Sequence, residues 1–243
     1  MCGRTSLFAP APDLASRFDV TVPDSYRPRY NVAPTESVEV VTATDTDEIQ
    51  QFYWGLKPRW ADADDEGFIN ARAETAAEKP AFADAWESRP CLVLSSGFYE
   101  WKETSRGPKQ PYRVYREDSE GRSPSGSRPR AGDDVAFAMA GIHQRWEPDE
   151  SDGNSLDTVT ILTTEPNAVI EPLHHRMAVV LPADEEETWL TAGPDERAEL
   201  CRPYPDDDLD AYPISTAVND PSNDSPGIIE PDETEQSGLG EFV

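Results

Sequence analysis

Apolar positions in this chain come mostly in short alternating runs and only in a few places at helical spacing. Residues 38–42 and 49–54 alternate over strand-length windows and predict a pair of neighbouring strands. Cys91-Leu92-Val93-Leu94 is a continuous apolar run of buried-strand length. A turn, Ser95-Ser96-Gly97, leads from it into an aromatic strand, Phe98-Tyr99-Glu100-Trp101-Lys102. Residues 111–115 and 135–142 predict strands paired with each other, and 159–163 and 178–181 add two more. Helical spacing is confined to 12–18, part of 71–86, 184–190 and 194–201. Within 71–86, Phe82 and Trp86 fall one turn apart on one face. Residues 184–190 carry acidic side chains in the first turn, where the helix dipole favours them. Residues 61–67 read as an acidic loop and 218–229 as irregular. Strands at this spacing predict an α+β fold of mixed or antiparallel strands closing into a barrel-like sheet with peripheral helices.

The pattern continues to about residue 231, so 1–231 reads as one domain with no internal repeat. Residues 117–134 are rich in Ser, Gly, Pro and Arg and read as a flexible hairpin insert. Residues 232–243 read as an acidic, disordered tail.

Charge sharpens the picture. The 243 residues hold 48 acidic and 21 basic side chains, a net charge of −27, and the lysines are only Lys57, Lys79, Lys102 and Lys109. High net charge with few apolar residues favours disorder. The patterned segments favour a folded, halophile-type protein with an acidic surface instead. In molar salt the Debye length of ~3 Å screens that self-repulsion. Cys2, Cys91 and Cys201 form no disulfide framework, and Cys91 sits in a core run. No signal peptide, membrane-length apolar run, phosphate loop or metal-ligand spacing is present. The expectation is a cytoplasmic, reduced, monomeric protein without cofactor or metal.

Candidate chemistry lies in scattered motifs. In Met1-Cys2-Gly3-Arg4, removal of Met1 leaves Cys2 with an α-amine and a thiol on adjacent carbons. Such an aminothiol condenses with an aldehyde to an imine and closes to a thiazolidine. Both groups have reactive fractions near neutral pH. Glu100, among Phe98, Tyr99 and Trp101, suits a general acid or base, or else pairs with Lys102 at the surface. His174 and His175 titrate where proton transfer happens. On a strand they would face opposite ways, leaving one structural or exposed, and His143 reads as structural. Asn70-Ala71-Arg72 places an amide and a guanidinium on one side if extended, or an N-cap and a surface arginine if helical. The interleaved aromatics and cations of Trp54-Gly55-Leu56-Lys57-Pro58-Arg59-Trp60 suit either base stacking or a core.

Together these stretches resemble the SOS-response-associated peptidase (SRAP) family. The resemblance rests on Met1-Cys2-Gly3-Arg4, Tyr30-Asn31-Val32-Ala33-Pro34, Trp54-Gly55-Leu56 with Trp60, Asn70-Ala71-Arg72-Ala73-Glu74-Thr75, Gly97-Phe98-Tyr99-Glu100-Trp101-Lys102 and His174-His175-Arg176-Met177. A last stretch runs from Ile214 through Val218-Asn219 to Ile229-Glu230-Pro231. It implies sensing of abasic sites in single-stranded DNA and covalent capture of the sugar aldehyde by Cys2 as a thiazolidine. It further implies Glu100 as acid/base, His174 in proton transfer or ring opening, and Asn70 positioning the amine or sugar. Arg4, Arg72 and Arg176 would hold phosphates, and Asn31, Trp54 and Trp60 would complete the DNA-binding set. Self-cleavage ahead of Cys2 and a lyase activity through the imine are implied as well. Ala178 stands where the family usually has proline. A positive groove around Arg4, Arg72 and Arg176 is expected within an otherwise negative surface. The alternatives are an N-terminal-nucleophile cysteine peptidase or amidase without a DNA substrate, and a non-catalytic halophilic binding module.

Overall fold

The computed structural model describes residues 3–104, 107–116, 136–148 and 155–232. Thirteen strands are formed among them: β1 (Thr5–Leu7), β2 (Arg29–Val32), β3 (Ser37–Thr42), β4 (Asp45–Trp54), β5 (Asn70–Arg72), β6 (Pro90–Ser95), β7 (Gly97–Lys102), β8 (Gln110–Arg116), β9 (Phe137–Trp146), β10 (Leu156–Thr164), β11 (Met177–Ala178), β12 (Val180–Leu181) and β13 (Leu209–Pro213). The helices are α1 (Ala11–Phe18), α2 (Ala73–Ala76), α3 (Ala83–Ser88), α4 (Glu186–Thr191) and α5 (Pro194–Leu200). None of the described helices is long and apolar enough to cross a membrane.

The barrel expected from the strand pattern is present. β10 pairs in parallel with β4, and antiparallel pairings from β4 to β3, β3 to β6, β6 to β9 and β9 back to β10 close a five-strand ring. Alternation along these strands sorts side chains into two cores. Leu92, Leu94, Ala138, Ala140 and Leu162 pack under the helices with Leu14, Trp86 and Trp189. Cys91, Val93, Met139, Val159 and Ile161 face the other way and pack with Phe98 and Val114. The last two belong to a second sheet, ordered β13-β8-β7-β1-β2. β6 runs directly into β7 and so joins the two sheets. Ser95 Oγ caps this step by accepting from Gly97 N at 2.9 Å and bonding Thr5 Oγ1 at 2.9 Å. Gly97 has φ +152°, and a Cβ there would lie 2.8 Å from Val114 O. Only glycine fits that crossing.

Several expectations change against this architecture. The strand at 111–115 does not pair with the one at 135–142. β8 pairs with β7 and β13 in the second sheet, while β9 belongs to the ring. The flexible hairpin insert expected at 117–134 lies outside the described residues. Residues 71–72 are strand, because β5 adds in parallel to β10, and helix begins only at Ala73. The strand at 178–181 is split in two at Val179, where the chain passes from β10 to β9. β13 was not foreseen in its polar, proline-bounded surroundings. Of the 232–243 tail, only Asp232 is among the described residues.

Trp54 occupies the second core with no exposed surface, and its indole N–H donates to Ile69 O at 2.9 Å. Trp54→Ala should cost about 3–5 kcal/mol. That corresponds to a fall in melting temperature of roughly 10 °C, measurable by circular dichroism.

Candidate functional site

The start of the described chain runs along the aromatic strand. Thr5 pairs with Phe98, Ser6 pairs with Gly97, and Tyr99 N donates to Arg4 O at 3.0 Å. Antiparallel continuation sets Gly3 opposite Glu100. Cys2 lies outside the described residues.

Glu100 is buried, at 2% exposure, rather than paired with Lys102 at the surface. The pleat explains this. β7 buries both faces, Phe98 in the second core and Tyr99 in a third cluster with Phe8, Ile214, Val218, Ile228 and Ile229. Glu100 falls on the Phe98 side. Loss of solvation raises its carboxyl pKa to about 7.

His174 and His175 end the turns after β10. They stand next to β7 across a cleft of about 590 Å³ that also meets Trp101, Lys102, Glu103, Lys109 and Leu173. The histidines do not face opposite ways. A turn replaces the assumed strand, and the rings stack at 4.3 Å with His174 half-buried and His175 exposed. The backbone of Arg176 orients the ring, with His174 Nδ1 lying 3.0 Å from Arg176 N and 3.1 Å from Arg176 O. Burial depresses the His174 pKa, and the neighbouring His175 and Lys109 charges add to the effect. The ring is therefore neutral near pH 7. His143 is structural, half-buried against Phe52, and its partial burial with the nearby Arg89 charge lowers its pKa to about 4.

The third motif reaches the same end of β10. Thr163 pairs with Arg72 on one side and Ala178 on the other. Asn70 and Arg72 therefore share one side of an extended strand, as the alternation requires, and Asn70 is no helix cap. Arg176 bridges the two segments. Its guanidinium holds Glu74 with bonds of 2.7 and 2.8 Å and donates to Thr163 O at 2.6 Å. Glu74 is driven below the usual carboxylate range by that bond. The Arg176 charge is thus largely spent inside the protein, and Arg72 is the exposed guanidinium of the pair.

Other expected DNA contacts are placed differently. Asn31 is fully buried, and Arg4 is half-buried with Nη1 donating to Asn31 Oδ1 at 2.7 Å and to Val218 O at 2.6 Å. These two brace the fold. The same holds in the aromatic–cationic stretch. Trp54 is core, and buried Lys57 donates to Ala63 O and lies 4.6 Å over Trp146. Trp60 is different, an exposed ring at 66%. A positive groove built on all three arginines is not what the described residues form, since Arg4 and Arg176 are engaged internally. The cations at the cleft are Lys102, which lies over the Tyr112 ring, and Lys109, which pairs with Glu103 at the surface; they are half of all lysines in the chain. Sequence reasoning passed over them, although lysine scarcity was visible in the composition.

Comparison with known proteins agrees with the motif reading. The model of the family described as SOS response associated peptidase (SRAP) matches residues 1–221. A Bacillus subtilis protein named abasic site processing protein YoqW is 37% identical over 95% of this chain and 99% of its own length. The Gallus gallus abasic site processing protein HMCES is 31% identical over 85% of this chain and 67% of its own. A crystal structure from Bacteroides thetaiotaomicron superposes with a TM-score of 0.80 at 28% identity, covering 95% of this chain and all of that one.

The raised Glu100 pKa has a thermodynamic signature. The folded state holds this proton more tightly than the unfolded state does, so the contribution is fully present below the unfolded value near 4.5 and is lost as pH rises through about 7. Glu100→Gln should remove that dependence. The stability difference between variant and wild type is expected to grow by up to about 3 kcal/mol from pH 4.5 to pH 8, read from urea midpoints across that range.

Proposed function

Because this chain belongs to the SOS response associated peptidase family, we propose that it processes abasic sites in single-stranded DNA by covalent capture through Cys2 after loss of Met1. The reading is carried by one observation above all. A buried carboxyl with a pKa of about 7 lies in register with the start of the chain. It is supported by the neutral imidazole of His174 beside Trp101 and by relatives named for abasic-site processing.

Hydrolysis of the Met1–Cys2 bond frees the α-amine. The amine adds to the aldehyde carbon of the opened abasic sugar. Protonated Glu100 supplies the proton with which hydroxide leaves as water, giving an imine. The Cys2 thiol then adds to the imine carbon as its proton passes to nitrogen, closing a thiazolidine. One water is lost overall between protein and DNA. A carboxyl half-protonated near neutrality can give a proton in the first stage and take one in the second. The His174 imidazole hydrogen-bonds the sugar oxygens and assists ring opening. Asn70 orients the amine or the sugar. Arg72, Lys102 and Lys109 receive flanking phosphates, and Trp60 offers a ring for base stacking. Self-cleavage before Cys2 and strand cleavage through the imine use the same groups.

The test is intact mass after incubation with an abasic single-stranded oligonucleotide at high KCl. The expected species is Met1-less protein plus DNA minus water, absent with the intact strand and absent in Cys2→Ala. Glu100→Gln should slow its formation about 100-fold, and the wild-type rate should change with pH around 7. Turnover of an amide substrate without any DNA adduct would favour the cysteine-hydrolase alternative and reject this one.

A further inference from the structure

The Ile214–Pro231 stretch has no part in the chemistry above, yet it touches both ends of the site. It crosses the second sheet as a strap. Ile214, Val218, Ile228 and Ile229 are buried against Phe8 and Tyr99, and Ile214 bridges Pro231. The turn at Thr216–Asn219 makes two polar contacts from adjacent residues. Val218 O accepts from Arg4 Nη1 at 2.6 Å, next to the start of the described chain. Asn219 Oδ1 accepts from Trp101 Nε1 at 2.7 Å, on the cleft wall beside His174.

Asn31 is the hub beneath this turn. Its buried Nδ2 shares two hydrogens among Val218 O at 3.2 Å, Asp220 O at 3.1 Å and Asn223 O at 2.8 Å, while its Oδ1 accepts from Arg4. The carboxylate of Asp224 closes the arrangement by accepting from Tyr30 N at 2.6 Å and Asn31 N at 3.0 Å. One amide group thus ties the chain's beginning to the strap. Asn is suited to this because it presents two donors and an acceptor in one plane. An aspartate would lose every donor.

We propose that Asn31 and Asn219 are positioning residues, and that the 216–223 turn is a clamp holding the N-terminal segment and the Trp101 wall in reacting register. The inference rests on capture by Cys2 as the reaction served. Asn31 acts through Arg4 and Asn219 through Trp101, and neither touches the sugar.

Two variants and two readouts test it. Hydrogen exchange at the Tyr99 amide, whose acceptor is Arg4 O, reports docking of the chain's start without any DNA. Asn31→Ala should speed that exchange about tenfold while amides of β6 and β10 keep their protection. The capture rate at saturating abasic DNA should fall by a similar factor, with half-saturating DNA unchanged. Exposed Asn219→Leu carries little folding risk and should slow the saturated rate about threefold, and Asn219→Asp, which keeps an acceptor, should restore it. Unchanged Tyr99 exchange in Asn31→Ala overturns the clamp whatever the DNA result. Unchanged saturated rates in both variants, or a loss confined to DNA affinity, overturn it as well. If exchange speeds up but wild-type protein forms no adduct, the capture reading falls and the clamp is left without a reaction to serve, which also rejects the positioning role.

Discussion

Burial of one carboxyl group by the pleat of a strand is the constraint around which the site is arranged. β7 is enclosed on both faces, so each side chain along it must enter one core or the other until the strand leaves cover at Trp101. Glu100 is the one acidic residue in the enclosed part. Its position follows from being two residues past Phe98, and its weak acidity follows from its position. The glycine crossing at Gly97 and the hydroxyl cap of Ser95 set where that enclosure begins. The chemical character of the site is therefore a product of sheet geometry more than of neighbouring charges.

Electrostatics elsewhere follow a different rule. In a chain with a net charge of −27, free cations are scarce, and most described arginines near the site are engaged. Arg176 is locked to Glu74, and Arg4 serves Asn31 and Val218. The Arg176–Glu74 pair has an exposed carboxylate and adds little stability, so its effect is to fix the loop. The cations that face solvent here are Arg72 and the two cleft lysines, Lys109 in an exposed pair with Glu103. Phosphate attraction weakens steeply with salt, so a small cationic patch gives an acidic protein little purchase on a polyanion by charge alone.

Much of this was readable in advance, and what was not has identifiable causes. The barrel, the buried Cys91 strand and the aromatic strand were legible because period-two alternation is strong there. The side-by-side placement of Asn70 and Arg72 was legible once extended, but the choice between strand and helix required β10 as a partner, which no local pattern specifies. The pairing of β8 was misread because sequence neighbours usually pair, whereas here a polar connection separates two sheets. Trp54 and Asn31 looked like ligand contacts because conspicuous residues in motifs invite that reading. Their burial depends on contacts with Ile69 and with the 218–223 turn, both distant in sequence. Lys109 and the Asn219–Trp101 bond were invisible for the same reason.

The placement of β1 has a consequence for biosynthesis. This three-residue strand pairs only with β2 and β7, and ninety residues separate Thr5 from its partner Ser95. During synthesis β1 has no strand of the aromatic hairpin to join until that hairpin has been translated. Such long-range closure is slow and comes late. The β1–β7 edge is consequently among the last parts of the second sheet to close.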